Sequence, residues 1–229
     1  MNKLIKLISL IIISLSVYFI YNKTHNSTYR IINIGDKLSM GINSYGKKED
    51  SYIDYYKRYL EQEKEKIIID NTYSTKNQTI ESVLQTIKNN PIIRKKIIDS
   101  NILFITLGYN DLIYSLSSEE EKNDKTLKKI INEINIKYKE LIKEIRKYYH
   151  NNIIVVGYYT ENNDQYINKG IIELNNILKK EDDSIYYIDT YNTLKNRGNY
   201  FDNQKSYYPN KKGYYEITKK IISKTLEIY

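Results

Sequence analysis

The apolar run Ile31-Ile32-Asn33-Ile34 stops at Gly35-Asp36-Lys37-Leu38-Ser39, which puts a carboxylate, an ammonium and a hydroxyl close together in sequence. A second apolar run ends at Gly108-Tyr109-Asn110-Asp111, and Ser74-Thr75-Lys76-Asn77 precedes a helical pattern. Two chemistries are open to these residue types. The Lys37 ammonium beside the Asn110 amide and a backbone N–H at Asn77 would suit a carboxylate or phosphate. The Ser39 hydroxyl could instead attack an acyl group, but that route needs an imidazole to take its proton. The chain has two histidines, His25 and His150, far apart in sequence. His150 falls at the predicted carboxyl end of a long helix, where a cation is favourable against the dipole, and His25 lies in a polar stretch near the amino terminus. Neither is placed to act as a general base.

Composition narrows the classes further. Zero cysteines exclude disulfides, thiol nucleophiles and cysteine-ligated metals. Asp36 and Asp111 are the acidic groups of the candidate loops, and Lys37 among them opposes a cation, so neither a metal nor a cofactor is expected. The net charge of +8 raises the question of a polyanionic partner. The basic residues are mostly lysines spread along polar helix faces, with no arginine-rich arm and no nucleic-acid motif, so nucleic acid is not expected. The 26 tyrosines recur at helical spacings such as Tyr52, Tyr55, Tyr56 and Tyr59, which suits core and half-buried surface.

The elements that must position these groups follow from periodicity. Strands are expected at Tyr29 to Ile34, Ile67 to Tyr73, Asn101 to Leu107, Ile153 to Tyr158 and Ile185 to Ile188. Between them, Ile53, Tyr56 and Leu60 repeat at helical spacing behind Ser51, and Ile80, Val83, Leu84 and Ile87 do the same. Pro91 breaks that second helix, and Ile92 to Asp99 makes a short segment of its own. A charged loop from Ser117 to Asp124 leads into a long helix ending near His150. A helix from Tyr166 to Lys180, an irregular stretch from Tyr191 to Pro209 and a last helix from Asn210 to Leu226 complete the chain. Strands alternating with helices predict a three-layer α/β/α domain around a parallel, flavodoxin-like sheet of five strands.

Four blocks of this sequence, in order, resemble the SGNH/GDSL hydrolases, a family of esterases and lipases. Gly35-Asp36-Lys37-Leu38-Ser39 looks like the family's Gly-Asp-Ser-Leu block, with Lys37 at the nucleophile position. Asn77 matches the oxyanion-hole glycine, and Gly108-Tyr109-Asn110-Asp111 matches Gly-x-Asn-Asp, in which Asn110 would be the side-chain donor. Tyr207-Tyr208-Pro209-Asn210 stands where relatives have His-Pro-Asn, so Tyr208 occupies the histidine position and Lys205 or Ser206 the acidic one. The resemblance implies the fold over residues 29–229 and an oxyanion or ligand site at Lys37, Asn77, Asn110 and Tyr208. Gly35, Asp36, Ser39, Gly108 and Asp111 would shape its loops. It implies equally that no catalytic triad is intact.

Residues 1–28 are a separate unit. Lys3 and Lys6 precede a run that is uncharged from Leu7 to Ile20, and counted from Leu4 it is about long enough to cross a bilayer. An uncleaved transmembrane anchor is expected, with a cleaved signal peptide as the rival. Either puts the domain outside the cytoplasmic membrane. Three functions remain open: an inactive relative that binds an acylated or anionic cell-envelope ligand, such as a glycan, at the old cleft; an esterase or deacetylase using Ser39; or a structural domain that docks a membrane protein.

Overall fold

The computed structural model describes residues 9, 11–17, 28–62, 66–160, 164–179, 184–195, 198–202 and 208–228. Lys205, Ser206, Tyr207, His25 and part of the amino-terminal apolar run lie outside these. Among the described residues no helix is long and apolar enough to cross a membrane.

The strands are β1 (Tyr29–Gly35), β2 (Ile67–Ser74), β3 (Ile102–Thr106), β4 (Ile153–Val156) and β5 (Ile185–Ile188). All pair in parallel in the order β2-β1-β3-β4-β5. That is the flavodoxin-like order expected of the alternating pattern. Every residue of β3 and β4 is buried, as continuous apolar runs in a sheet covered on both faces should be. β2 lies at an edge, and its mixture of buried and exposed positions reflects that.

The helices are α1 (Tyr52–Leu60), α2 (Ile80–Asn89), α3 (Pro91–Ile98), α4 (Tyr109–Ser118), α5 (Asp124–Arg146), α6 (Gln165–Leu178), α7 (Thr190–Leu194) and α8 (Lys211–Ile228). α1 packs with α8 against one face of the sheet, while α2, α4, α5 and α6 form the other layer. Local sequence sets their starts. Ser51 and Asp54 exchange bonds in a capping box, as do Thr79 and Ser82, and Asn90 caps α3 with Pro91 at its first position.

Three expectations differ. No helix was expected between the third strand and the charged loop, yet α4 starts at Tyr109 behind Gly108, a cap that makes no side-chain bond. The stretch expected to be irregular after Tyr191 contains α7 and a 3-10 turn at Gly198–Tyr200. β4 stops at Val156, two residues before Tyr158: the Gly157 N–H still donates to the Ile188 carbonyl, but the Tyr158 backbone bonds the Asn175 side chain instead of a strand.

Candidate functional site

β1 and β3 are neighbours, but one chain continues to the β2 side and the other to the β4 side. The loops leaving their carboxyl ends therefore open a crevice at the switch point of the sheet. Gly35 pairs with Thr106, and the Asp36 N–H donates to the Thr106 carbonyl at 3.1 Å. The block at Gly35 and the block at Gly108 are thus brought side by side.

Asp36 organises the first loop. Its Oδ1 accepts from the Leu38 N–H at 2.9 Å, and its Oδ2 accepts from the Tyr158 hydroxyl at 2.7 Å. Its carbonyl accepts from the Met40 N–H and from Ser39 Oγ. Burial pushes the carboxyl up to about 7, against the pull of the Tyr158 hydroxyl and the Leu38 N–H. Burial also raises the Tyr158 phenol, so it remains a neutral donor.

Ser39 is 2% exposed, and its hydroxyl donates to the Asp36 carbonyl at 2.7 Å. A Cβ on Gly35 would fall 2.7 Å from Ser39 Oγ and 2.8 Å from the Thr106 carbonyl oxygen, so only glycine fits there. The Ser39 hydroxyl is part of the loop's interior rather than of the crevice. Behind it, buried Asn33 donates to the Ser39 carbonyl and to Asn71 Oδ1, while Tyr52 bonds Asn33 and Thr106 Oγ1.

The second loop is held just as firmly. Gly108 has φ +116, a left-handed conformation that side chains rarely adopt, and a Cβ there would meet Leu174. Asp111 accepts from the Ile80 N–H through both carboxylate oxygens (3.2 and 3.0 Å), so it caps α2 from a different element. Burial raises its carboxyl above the ordinary range. The Asn110 amide donates to the carbonyls of Lys76 at 3.1 Å and Gln78 at 2.8 Å. It therefore grips the turn on either side of exposed Asn77, and both of its N–H bonds are spent on backbone. The resemblance implied an oxyanion donor at Asn110; in this arrangement the amide clamps a turn instead.

The structure brings Lys37 and Tyr208 together. The Lys37 ammonium lies 5.8 Å from the centre of the Tyr208 ring, within cation–π range. The Tyr208 carbonyl accepts from Ser44 Oγ at 3.0 Å, and the Tyr214 hydroxyl donates to the Ile42 carbonyl at 2.8 Å. These bonds tie the first loop to the segment that opens α8. Asn210 receives the Lys212 and Gly213 N–H groups and so caps that helix.

Tyrosines fill most of the crevice. Tyr109 packs against both Tyr158 and Tyr208, with ring centres 5.6 and 6.3 Å apart. The space left among Leu38, Tyr109, Tyr158, Tyr159, Thr190, Tyr208 and Pro209 is about 10 Å³, room for about one water. Buried Thr190 Oγ1 on its wall has no hydrogen-bond partner among the described residues. Sequence reasoning missed Tyr158, Tyr109 and Thr190; Tyr158 was expected inside the fourth strand, with no signal to mark it as a site residue.

This architecture is that of an SGNH-type hydrolase. The family model for GDSL-like lipase/acylhydrolase matches residues 31–221, and the chain belongs to that family. Among solved structures, the lipase Lip_vut3 from a goat rumen metagenome is 22% identical, with a TM-score of 0.72 over 86% of this chain and 97% of that one. A catalytic mutant of Axe2, an acetylxylan esterase from Geobacillus stearothermophilus, is 17% identical, with a TM-score of 0.65 over 86% and 94%. A G-D-S-L family protein from Veillonella parvula is 14% identical, with a TM-score of 0.57 over 86% and 97%. No curated protein matches the chain.

Proposed function

We propose that this protein is a GDSL-family domain without acyl-transfer activity, which binds an anionic or acylated cell-envelope glycan over the mouth of the former active site. Residues 1–28 hold it at the outer face of the cytoplasmic membrane. The observation that carries the reading is Lys37, an ammonium at the nucleophile position, set over Tyr208 at the position of the general base. An ammonium and a tyrosine at a crevice mouth can hold a carboxylate or phosphate, with the ring face available to a sugar. Acyl transfer needs an activated hydroxyl and an open donor for the oxyanion. Here the Ser39 hydroxyl is turned into its own loop and the Asn110 amide into a neighbouring turn.

The test uses the full chain in nanodiscs. Turnover of 4-nitrophenyl acetate and of acetylated xylooligosaccharides, the latter chosen from the acetylxylan esterase relatives, is expected to be absent. Calorimetric titration with inorganic phosphate and with glucuronate is expected to show binding that Lys37→Glu abolishes and Ser39→Ala leaves intact. Hydrolysis by the unaltered chain, or anion binding indifferent to Lys37→Glu, would sink the proposal.

A further inference from the structure

The loop that carries Lys37 continues past the crevice mouth as a short hairpin. Ile42 and Lys48 face each other across an antiparallel bridge. The Asn43 N–H donates to the Lys47 carbonyl at 2.9 Å, and the Gly46 N–H to the Asn43 carbonyl at 3.0 Å. Asn43 is 4% exposed, and its side-chain oxygen accepts from the N–H groups of Tyr45 at 2.9 Å and Lys47 at 3.0 Å. Gly46 turns the tip at φ +73. Two further bonds fix the hairpin to the site. The Ile42 N–H donates to the Lys37 carbonyl at 3.1 Å, and the Ser44 hydroxyl to the Tyr208 carbonyl at 3.0 Å. Tyr45 is the next residue, so its Cα stands at most roughly 12 Å from that of Tyr208.

The tip holds groups that the protein itself does not use. Tyr45 is 65% exposed, the most exposed tyrosine among the described residues, and no ring contact or side-chain hydrogen bond engages it there. Tyr148 and Tyr215, also exposed, have Arg94 and Lys219 over their rings. Lys47 and Lys48 are exposed and form no ion pair among the described residues. Exposed Lys211 and Lys212 open α8 just past Tyr208. The described carboxylates of these segments are largely accounted for. Asp36 is buried, Asp50 is matched by Arg58 at 2.9 Å, and Asp202 accepts from the Asn210 amide at 3.0 Å. Half-buried Glu49 is left against Lys37, Lys47, Lys48, Lys211 and Lys212. The mouth is therefore net positive beside an uncovered aromatic ring. Tyrosine offers a flat amphipathic surface with little side-chain entropy to lose, and a backbone already fixed lowers the cost of ordering it.

We propose that this hairpin is a second subsite, for the continuing chain of an anionic polysaccharide. One acidic unit lies at Lys37 and Tyr208, the next units run over the Tyr45 ring, and their carboxylates or phosphates meet Lys47 and Lys48. The inference rests on the anionic-glycan reading above and adds that the ligand is a polymer rather than a single acidic sugar. Two weak contacts on one chain reinforce each other, because the second forms at the high local concentration that the first creates.

The test titrates the full chain in nanodiscs with galacturonate, with tetragalacturonate and with tripolyphosphate, which carries charge but no sugar ring. Tetragalacturonate is expected to bind more tightly than its greater number of units alone gives. Tyr45→Ala should remove most of that gain and Tyr45→Phe should keep it, with galacturonate and tripolyphosphate binding unchanged in both. Lys47→Gln with Lys48→Gln should weaken the tetramer severalfold and spare the monomer. Tyr45 has no side-chain contact to lose, so its variants should melt as the wild type does. Tetragalacturonate binding that is indifferent to Tyr45→Ala overturns the second subsite. So does loss of tripolyphosphate binding in Tyr45→Ala, because the residue would then be shaping its loop rather than meeting a sugar. The two readings fail separately. Galacturonate bound through Lys37 with no gain for the tetramer keeps the first site and removes the second. Tetramer binding that depends on Tyr45 but not on Lys37 keeps the hairpin and removes the Lys37 site.

Discussion

Asp36→Asn exchanges a buried carboxyl for an amide of nearly the same shape, whose oxygen can still accept from the Leu38 N–H while its NH2 group donates to the Tyr158 oxygen. It removes a proton-binding group whose folded value is about 7, against an ordinary 3.8. Between those values the folded protein holds a proton that the unfolded chain has lost, so stability falls as pH rises through the window. The stabilisation is complete below about pH 4 and gone above about pH 7. From pH 5 to pH 8 the wild-type protein should lose about 2–3 kcal/mol through this one carboxyl. That is a sizeable part of the roughly 5–15 kcal/mol that holds a domain together. Urea unfolding followed by tyrosine fluorescence at the two pH values measures it. The wild type should unfold at lower urea at pH 8, and Asp36→Asn should flatten the difference by that amount. Asp111, also raised by burial, contributes in the same direction, so Asp111→Asn serves as the comparison. An Asp36→Asn protein with the wild-type pH slope would refute the claim that burial dominates this site.

Tyr158→Phe leaves Asp36 Oδ2 buried without its hydroxyl donor, which should cost about 1–3 kcal/mol and, because that donor holds the carboxyl down, carry the pH-dependent loss of stability to higher pH. Unfolding curves at several pH values read both effects; a melt unchanged from wild type would mean that another donor replaces the phenol. Gly108→Ala forces a side chain into a left-handed position against Leu174 and should cost about 1–3 kcal/mol, lowering the thermal midpoint by several degrees. No change there would mean that the turn before α4 relaxes freely.

The apolar runs of β1, β3 and β4 and the helical spacings of α1, α2 and α5 were legible because burial on fixed faces writes itself into periodicity. α4 was not, because its first residue follows a glycine cap with no side-chain bond. α7 has five residues, too few to show a period. The pairing of Lys37 with Tyr208 could be anticipated from the four blocks in order. The bond between Tyr158 and Asp36 joins residues 122 apart and is one phenol among 26 in the chain, so nothing in the string singles it out. Asn110 shows a different limit. Its identity and place were legible, but its partners are backbone carbonyls at Lys76 and Gln78, and a carbonyl has no letter in the sequence. The acidic position at Lys205 lies outside the described residues.

β1 is the first strand in the chain and yet stands inside the sheet, flanked by β2 and β3. Its first residues are gripped as well: the Arg30 N–H donates to Asn101 Oδ1, and the Arg30 carbonyl accepts from the Asn101 N–H, both at 2.8 Å. A pull on the chain ahead of Tyr29 therefore runs along an interior strand and loads the ladders on both sides in shear. Bonds loaded that way share the force instead of opening one after another from an end. The domain meets tension from its amino terminus at a strand paired on both sides, with the crevice loops at the far end of that strand.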